Sequence, residues 1–140
     1  MKKISITIII FFLIVLNSCN RSENLRYLSG YWEINSVSKD GNKIKNYPFS
    51  GTIDYFTLDD NYTGFRKKVK PRIDGNFDIN MHQISFDIEV KKNDIKLIYG
   101  KGANFTESII KIDSVNLTIT NSDGYLYEYK RFYPKNYLNE

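Results

Sequence analysis

The chain has 140 residues, with 20 Lys and Arg against 16 Asp and Glu, one His, one Cys and eleven Tyr, for a formal charge of +4. That length suits a single domain with its own core. One cysteine excludes an internal disulfide, one histidine leaves too few ligands for the usual zinc or transition-metal site, and the modest charge gives no argument for a nucleic-acid partner.

Met1-Lys2-Lys3 is a cationic start, and Ile4 to Leu16 carries no charge. A membrane-spanning helix needs roughly 20 apolar residues and a secretory apolar region roughly 7–15, so this run reads as a signal peptide that is removed. It ends Leu16-Asn17-Ser18-Cys19, which resembles the lipobox of bacterial lipoproteins, although Asn17 stands where that motif usually has a small residue. The resemblance implies residues 1–18 as a lipoprotein signal peptide and Cys19 as the lipidated residue that anchors the chain, with 19–27 the anchor and a polar tether. A bacterial lipoprotein typically carries three acyl chains, and stable anchoring needs two signals. Asn20, in place of aspartate, implies the outer membrane under the proteobacterial sorting rule. The abundance of Ile, Asn, Lys and Tyr resembles that of the Bacteroidetes, in which surface display goes with an acidic cluster after the cysteine; the one acid in Arg21-Ser22-Glu23-Asn24 then implies the periplasmic side. Lys2 and Lys3 leave with the signal, so the remaining 122 residues carry 18 basic and 16 acidic side chains, a net +2.

From Tyr31 onwards the dominant period is two, the mark of half-buried strands. Strands are expected near 31–38, 51–58, 62–69, 76–90, 95–100, 105–112, 115–121 and 124–133, with no three-turn helix after residue 30. Turns are expected at Lys39-Asp40-Gly41-Asn42, Asp59-Asp60-Asn61, Lys91-Lys92-Asn93-Asp94 and Ser122-Asp123-Gly124. In the fourth strand Phe77, Ile79 and Met81 are odd while Ile84, Phe86 and Ile88 are even. A bulge or a turn at His82-Gln83 would return both sets to the core. Short connections favour an all-β, antiparallel up-and-down β-barrel of about eight strands over residues 28–134, followed by a tail at 135–140, with a β-sandwich as the alternative.

Leu28-Ser29-Gly30-Tyr31-Trp32 opens this domain with Gly-x-Trp, and Tyr129-Lys130-Arg131-Phe132 ends its last strand. The pairing resembles the lipocalin superfamily. Tyr55 to Gly64 and Asp123 to Tyr127 are more similar to the small lipocalin-like lipoproteins of Bacteroidetes. The resemblance implies that Trp32 sits at the closed end of an eight-stranded barrel with Arg131 across its ring, a structural pair first. Alternation puts Arg131 on one face with Tyr125, Tyr127, Tyr129 and Tyr133, and that face is expected to point inward; a guanidinium on the indole contributes about 0.5–2 kcal/mol.

Tyr125, Tyr127 and Tyr129 are candidate ligand-binding residues, because tyrosine joins an apolar body to a polar tip. They equally well fill a narrow barrel. Arg66, Lys67, Lys68, Lys70 and Arg72 form a candidate interaction patch for phosphate headgroups or an acidic partner, or else a solvated strand edge protected by lysine and proline. Asp59-x-Asn61-x-Thr63-Gly64 imitates the start of a calcium loop, but its twelfth position is Lys70, so a hairpin turn is the better reading. Asp113-Ser114-Val115 resembles a short O-glycosylation acceptor motif, with a plain turn serine as the alternative.

No nucleophile elbow, phosphate-binding glycine loop or paired base is present, so neither catalytic residues nor a cofactor are expected. The expectation is a non-enzymatic, lipid-anchored binder of a small hydrophobic or amphipathic ligand. The rival is a protein-interaction module of the cell envelope with a side-chain-filled barrel, and an unusual hydrolase is a distant third.

Overall fold

Period two in the sequence becomes nine antiparallel strands: β1 (Gly30–Lys39), β2 (Asn42–Asn46), β3 (Ile53–Leu58), β4 (Thr63–Pro71), β5 (Phe77–Lys91), β6 (Asp94–Tyr99), β7 (Thr106–Ile112), β8 (Asn116–Asn121) and β9 (Tyr125–Arg131). The structure is a computed structural model that describes residues 21–92, 94–100 and 105–138. The expected signal peptide and Cys19 lie outside those residues. Consecutive strands pair from β3 to β9, and β1 pairs with both β3 and β9, closing an eight-stranded barrel. The expected closed up-and-down arrangement is therefore the fold, and the sandwich alternative is not.

One strand escaped the sequence reading. Asp40 at φ 50° and Gly41 at φ 80° make a two-residue turn with both centres left-handed, a conformation that matches strand twist and folds β2 back on β1. Every residue of β2 is exposed. With no buried face there is no apolar alternation to read.

A bulge is present next to the expected His82-Gln83 position: Lys67 pairs with Gln83 and Val69 with Ile79, so residues 80–82 stand opposite Lys68 alone. It does not return both apolar sets to the core. Ile79 is 62% and Ile84 57% exposed. The distal part of the β4–β5 hairpin instead turns onto the outer wall, where Phe77 stacks on Tyr31 at 4.3 Å. Val69, opposite Ile53, is buried there.

The segment 21–27, read as a tether, winds into a 3₁₀ helix, Arg21–Tyr27. Leu25 and Leu28 join the core, at 3% and 0% exposure, and cover one end of the barrel. Trp32 is fully buried beneath them and donates its Nε1–H to the Leu28 carbonyl at 2.9 Å. The Arg131 guanidinium lies 3.8 Å from the indole centroid. It also donates to the carbonyls of Ser114 at 3.2 Å, Ser29 at 2.9 Å and Tyr27. A Cβ at Gly30, which sits at φ 126°, would collide with this guanidinium. The glycine of Gly-x-Trp is thus needed for the arginine to reach the tryptophan.

Asp59 closes the β3–β4 turn by accepting from the Asn61 amide at 2.9 Å, the Thr63 amide at 3.0 Å and the Thr63 hydroxyl at 2.7 Å. Its carboxyl oxygens are committed to the chain, as expected of a hairpin turn and not of a calcium loop.

Candidate functional site

Strand alternation sends even-numbered residues of β3 and β4 inward, so Asp54 and Phe56 face Lys68 and Arg66 across the pairing. The result is a charged lattice at mid-height in an otherwise apolar barrel. Arg66 Nη2 lies 3.0 Å from Asp54 Oδ2, and Nη1 lies 3.2 Å from Glu107 Oε2. Arg66 also donates to the Tyr129 hydroxyl at 2.8 Å and, at 3.5 Å, to that of Tyr99. Tyr99 in turn donates to Glu107 Oε2 at 2.6 Å. Lys68 Nζ takes the other Asp54 oxygen at 3.0 Å. Below the guanidinium lies the Phe56 ring, 5.0 Å away.

Asp54, Tyr99, Glu107 and Tyr129 are all buried, and no buried side-chain polar atom among the described residues lacks a hydrogen-bond partner. Such completeness is what makes buried charge tolerable, because an unpaired group would carry its whole desolvation cost. Burial raises the Asp54 carboxyl, but the cations of Arg66 and Lys68 outweigh it and hold the group below the ordinary carboxylate value. Burial pushes the phenols of Tyr99 and Tyr129 well above theirs, against the pull of Arg66. Both remain hydrogen-bond donors at any physiological pH.

The Asp54 shift has a sign for stability. A carboxylate with a folded-state value lower than its unfolded one stabilises the fold above the unfolded value, and that contribution fades as pH falls through the folded value. Unfolding free energy should therefore decline below about pH 4, where an unfolded aspartate begins to protonate. In Asp54→Asn, urea titrations from pH 7 to pH 2 should show a lower starting stability and a flatter acid limb.

Over the lattice the barrel opens into a cup of about 260 Å³ lined by Asp54, Arg66, Lys68, Ile84, Tyr99 and Phe105, among others. Ile84 faces inward yet is 57% exposed, and Phe105, 5.2 Å from the Tyr99 ring, is 47% exposed. They give the cup apolar walls above a polar floor.

The three tyrosines named from sequence do not act together. Tyr129 is locked in the lattice, Tyr127 is half-buried against the core, and Tyr125 stacks on Tyr127 at 6.3 Å with Lys39 Nζ 4.6 Å from its ring. Neither Tyr125 nor Tyr127 is among the residues lining the cup. The five cations of 66–72 are likewise divided by the strand. Arg66 and Lys68 point inward, whereas Lys67 lies outside over Tyr55 and Phe65 at 5.3 and 5.4 Å. Lys70 is exposed, and Arg72 pairs with Asp74 and Asp78 at 3.4 and 3.3 Å. Sequence reasoning placed a candidate cavity at Tyr125, Tyr127 and Tyr129, counted Asp54 among aspartates that solvation explains, and singled out neither Tyr99 nor Glu107.

An up-and-down barrel plugged at one end by a short helix and open at the other over a polar floor defines a class of small barrel proteins suited to holding a compact ligand. Residues 28–119 match the family model of the lipocalin-like domain, and the chain belongs to that family. No curated protein and no solved structure matches the chain.

Proposed function

We propose that the protein is a non-enzymatic binder of a small amphipathic molecule, held at the cell envelope of a bacterium through a lipidated Cys19. The observation that carries the binding role is the cup over Arg66. Its walls, Ile84 and Phe105, suit a ring or a short chain, and its floor offers the Lys68 ammonium and the Arg66–Asp54 pair to a polar group. At about 260 Å³ it falls just below the usual range of roughly 300–1,000 Å³ for small-molecule sites. The lattice bars the way down to Phe56, so a long acyl chain does not fit along the barrel axis. The geometry thus favours the amphipathic alternative over the purely hydrophobic one.

Native mass spectrometry of the full chain, purified gently from its own envelope, should show a stoichiometric adduct. Phe105→Ala should weaken binding of that molecule roughly tenfold or more, the expected effect of removing one buried aromatic contact. Lys43→Glu, on the exposed strand β2 and away from the cup, should leave it unchanged. Lys68 is no probe of the outer surface, because reversing its charge would put a carboxylate beside Asp54. A bare protein mass in repeated preparations would overturn the binder and favour an interaction module built on the outer wall.

A further inference from the structure

The outer wall carries a second feature that the cup does not use. Tyr31 stacks on Phe77 with ring planes 12° apart, and Phe77 meets Phe132 edge-on at 6.2 Å. This aromatic row leads into a groove of about 390 Å³ between the β4–β5 turn, the segment after β9 and the loop before β3. The large apolar side chains that rim it face solvent: Phe49 is 80% exposed, Ile73 68%, Tyr133 67% and Tyr137 59%. Leu138 beside them is 62% exposed. Backbone contacts fix the two walls to each other, with the Tyr137 amide donating to the Ile73 carbonyl at 2.9 Å and Asp74 bridging to Asn136.

Among the described residues, the charged side chains that line the groove are the cations Arg72, Arg131 and Lys135. Arg72 is partly offset by Asp74 and Asp78, and Arg131 is shared with Trp32, so Lys135 is the cation directed most plainly outward. Exposed aromatic rings with cations beside them are the side-chain chemistry of a bilayer's headgroup region.

We propose that this face seats on an anionic lipid surface, a second membrane contact beside the lipid anchor. The chain path supports it. The described residues begin two positions after Cys19, and the 3₁₀ helix, at about 2 Å per residue, covers roughly 14 Å before Tyr27 reaches Arg131 on the groove's border. An anchor at Cys19 therefore keeps the aromatic face close to the bilayer, which is the one respect in which this inference rests on the anchoring reading. A single weak signal gains residence when a basic patch supplies the second.

The test uses the full chain with Cys19→Ser, so that no acyl anchor is attached and one new thiol can be labelled. An environment-sensitive fluorophore on Leu138→Cys reports the rim of the groove, and the same fluorophore on Lys43→Cys reports β2. On vesicles of phosphatidylglycerol and phosphatidylcholine the probe at 138 should shift to the blue and be quenched by lipid-borne quenchers, with the probe at 43 unchanged. Vesicles of phosphatidylcholine alone should give a weaker response. Adding Lys135→Ala should lower partitioning onto the anionic vesicles about fivefold, the effect of one cation near such a surface. The proposal is overturned if the probe at 138 stays in water on both vesicles, or if both probes respond alike, which would assign the contact to residues 1–20. Whether Cys19 carries lipid is answered separately by the mass of the native chain, so either idea can fail without the other.

Discussion

Replacing Arg66 by methionine should destabilise the barrel by about 3–5 kcal/mol, because it strands two buried carboxylates with most of their positive charge removed. Asp54 and Glu107 have side chains only 4% and 5% exposed. Lys68 could still hold one oxygen of Asp54, but Glu107 would keep only the Tyr99 hydroxyl. A triple variant, Arg66→Met with Asp54→Asn and Glu107→Gln, separates the worth of the charges from the worth of the shape. It should recover most of the loss, since neutral groups of similar size remove the desolvation cost along with the attraction. Urea unfolding of the three proteins at pH 7 decides the matter. If the single variant loses less than about 1 kcal/mol, the lattice is hydrated and behaves like a surface ion pair.

Trp32→Ala should cost a comparable amount, about 3–5 kcal/mol, the range for emptying a fully buried aromatic site. Several supports meet at this side chain: the hydrogen bond to the Leu28 carbonyl, the Arg131 stack and the contacts of the core. Loss of the ring also removes what holds Arg131 in place to bind the carbonyls of Tyr27, Ser29 and Ser114. Amide exchange in the 3₁₀ helix and in the 113–116 turn should rise together in this variant. Arg131→Lys should give a smaller version of the same pattern, because a compact ammonium cannot lie flat on an indole while its donors reach carbonyls as far apart as those of Tyr27, Ser29 and Ser114. Exchange confined to residues adjoining position 32 would show that the arginine holds the end of the barrel without the tryptophan.

The barrel was legible in the sequence wherever a strand has one wet face and one dry face. Ile95, Leu97 and Tyr99, or Leu117 and Ile119, alternate with polar residues and are buried as that alternation requires. β4 was legible as a strand but not as a site. Thr63-Gly64-Phe65-Arg66-Lys67-Lys68-Val69 has Phe65, Lys67 and Val69 on the outer face and Arg66 and Lys68 on the inner one, so a reading that equates cations with solvent takes Arg66 for surface. The available clue was the pairing of that strand with Asp54 and Phe56, and it could be used only once the register was known. Glu107 is a harder case. It stands beside Leu97 across β6 and β7, and nothing in Thr106-Glu107-Ser108 separates a buried carboxylate from an exposed one. Phe77 misled for the opposite reason: its alternation with Ile79 is real, but the face it marks is covered by Tyr31 and Phe132 outside the barrel.

The clasp between Trp32 and Arg131 joins the first strand of the barrel to the last, and its hydrogen bonds to Ser29 and Tyr27 span 102 and 104 positions of the chain. Contacts that distant form late, after the entropy of closing a long loop has been met, and folds dominated by them assemble slowly, in milliseconds to seconds. Until residue 131 arrives, the growing polypeptide has an open sheet and an uncovered indole. Closure of the barrel is thus postponed to its last strand, and any chain that stops short of β9 leaves β1 without the partner that seals the sheet.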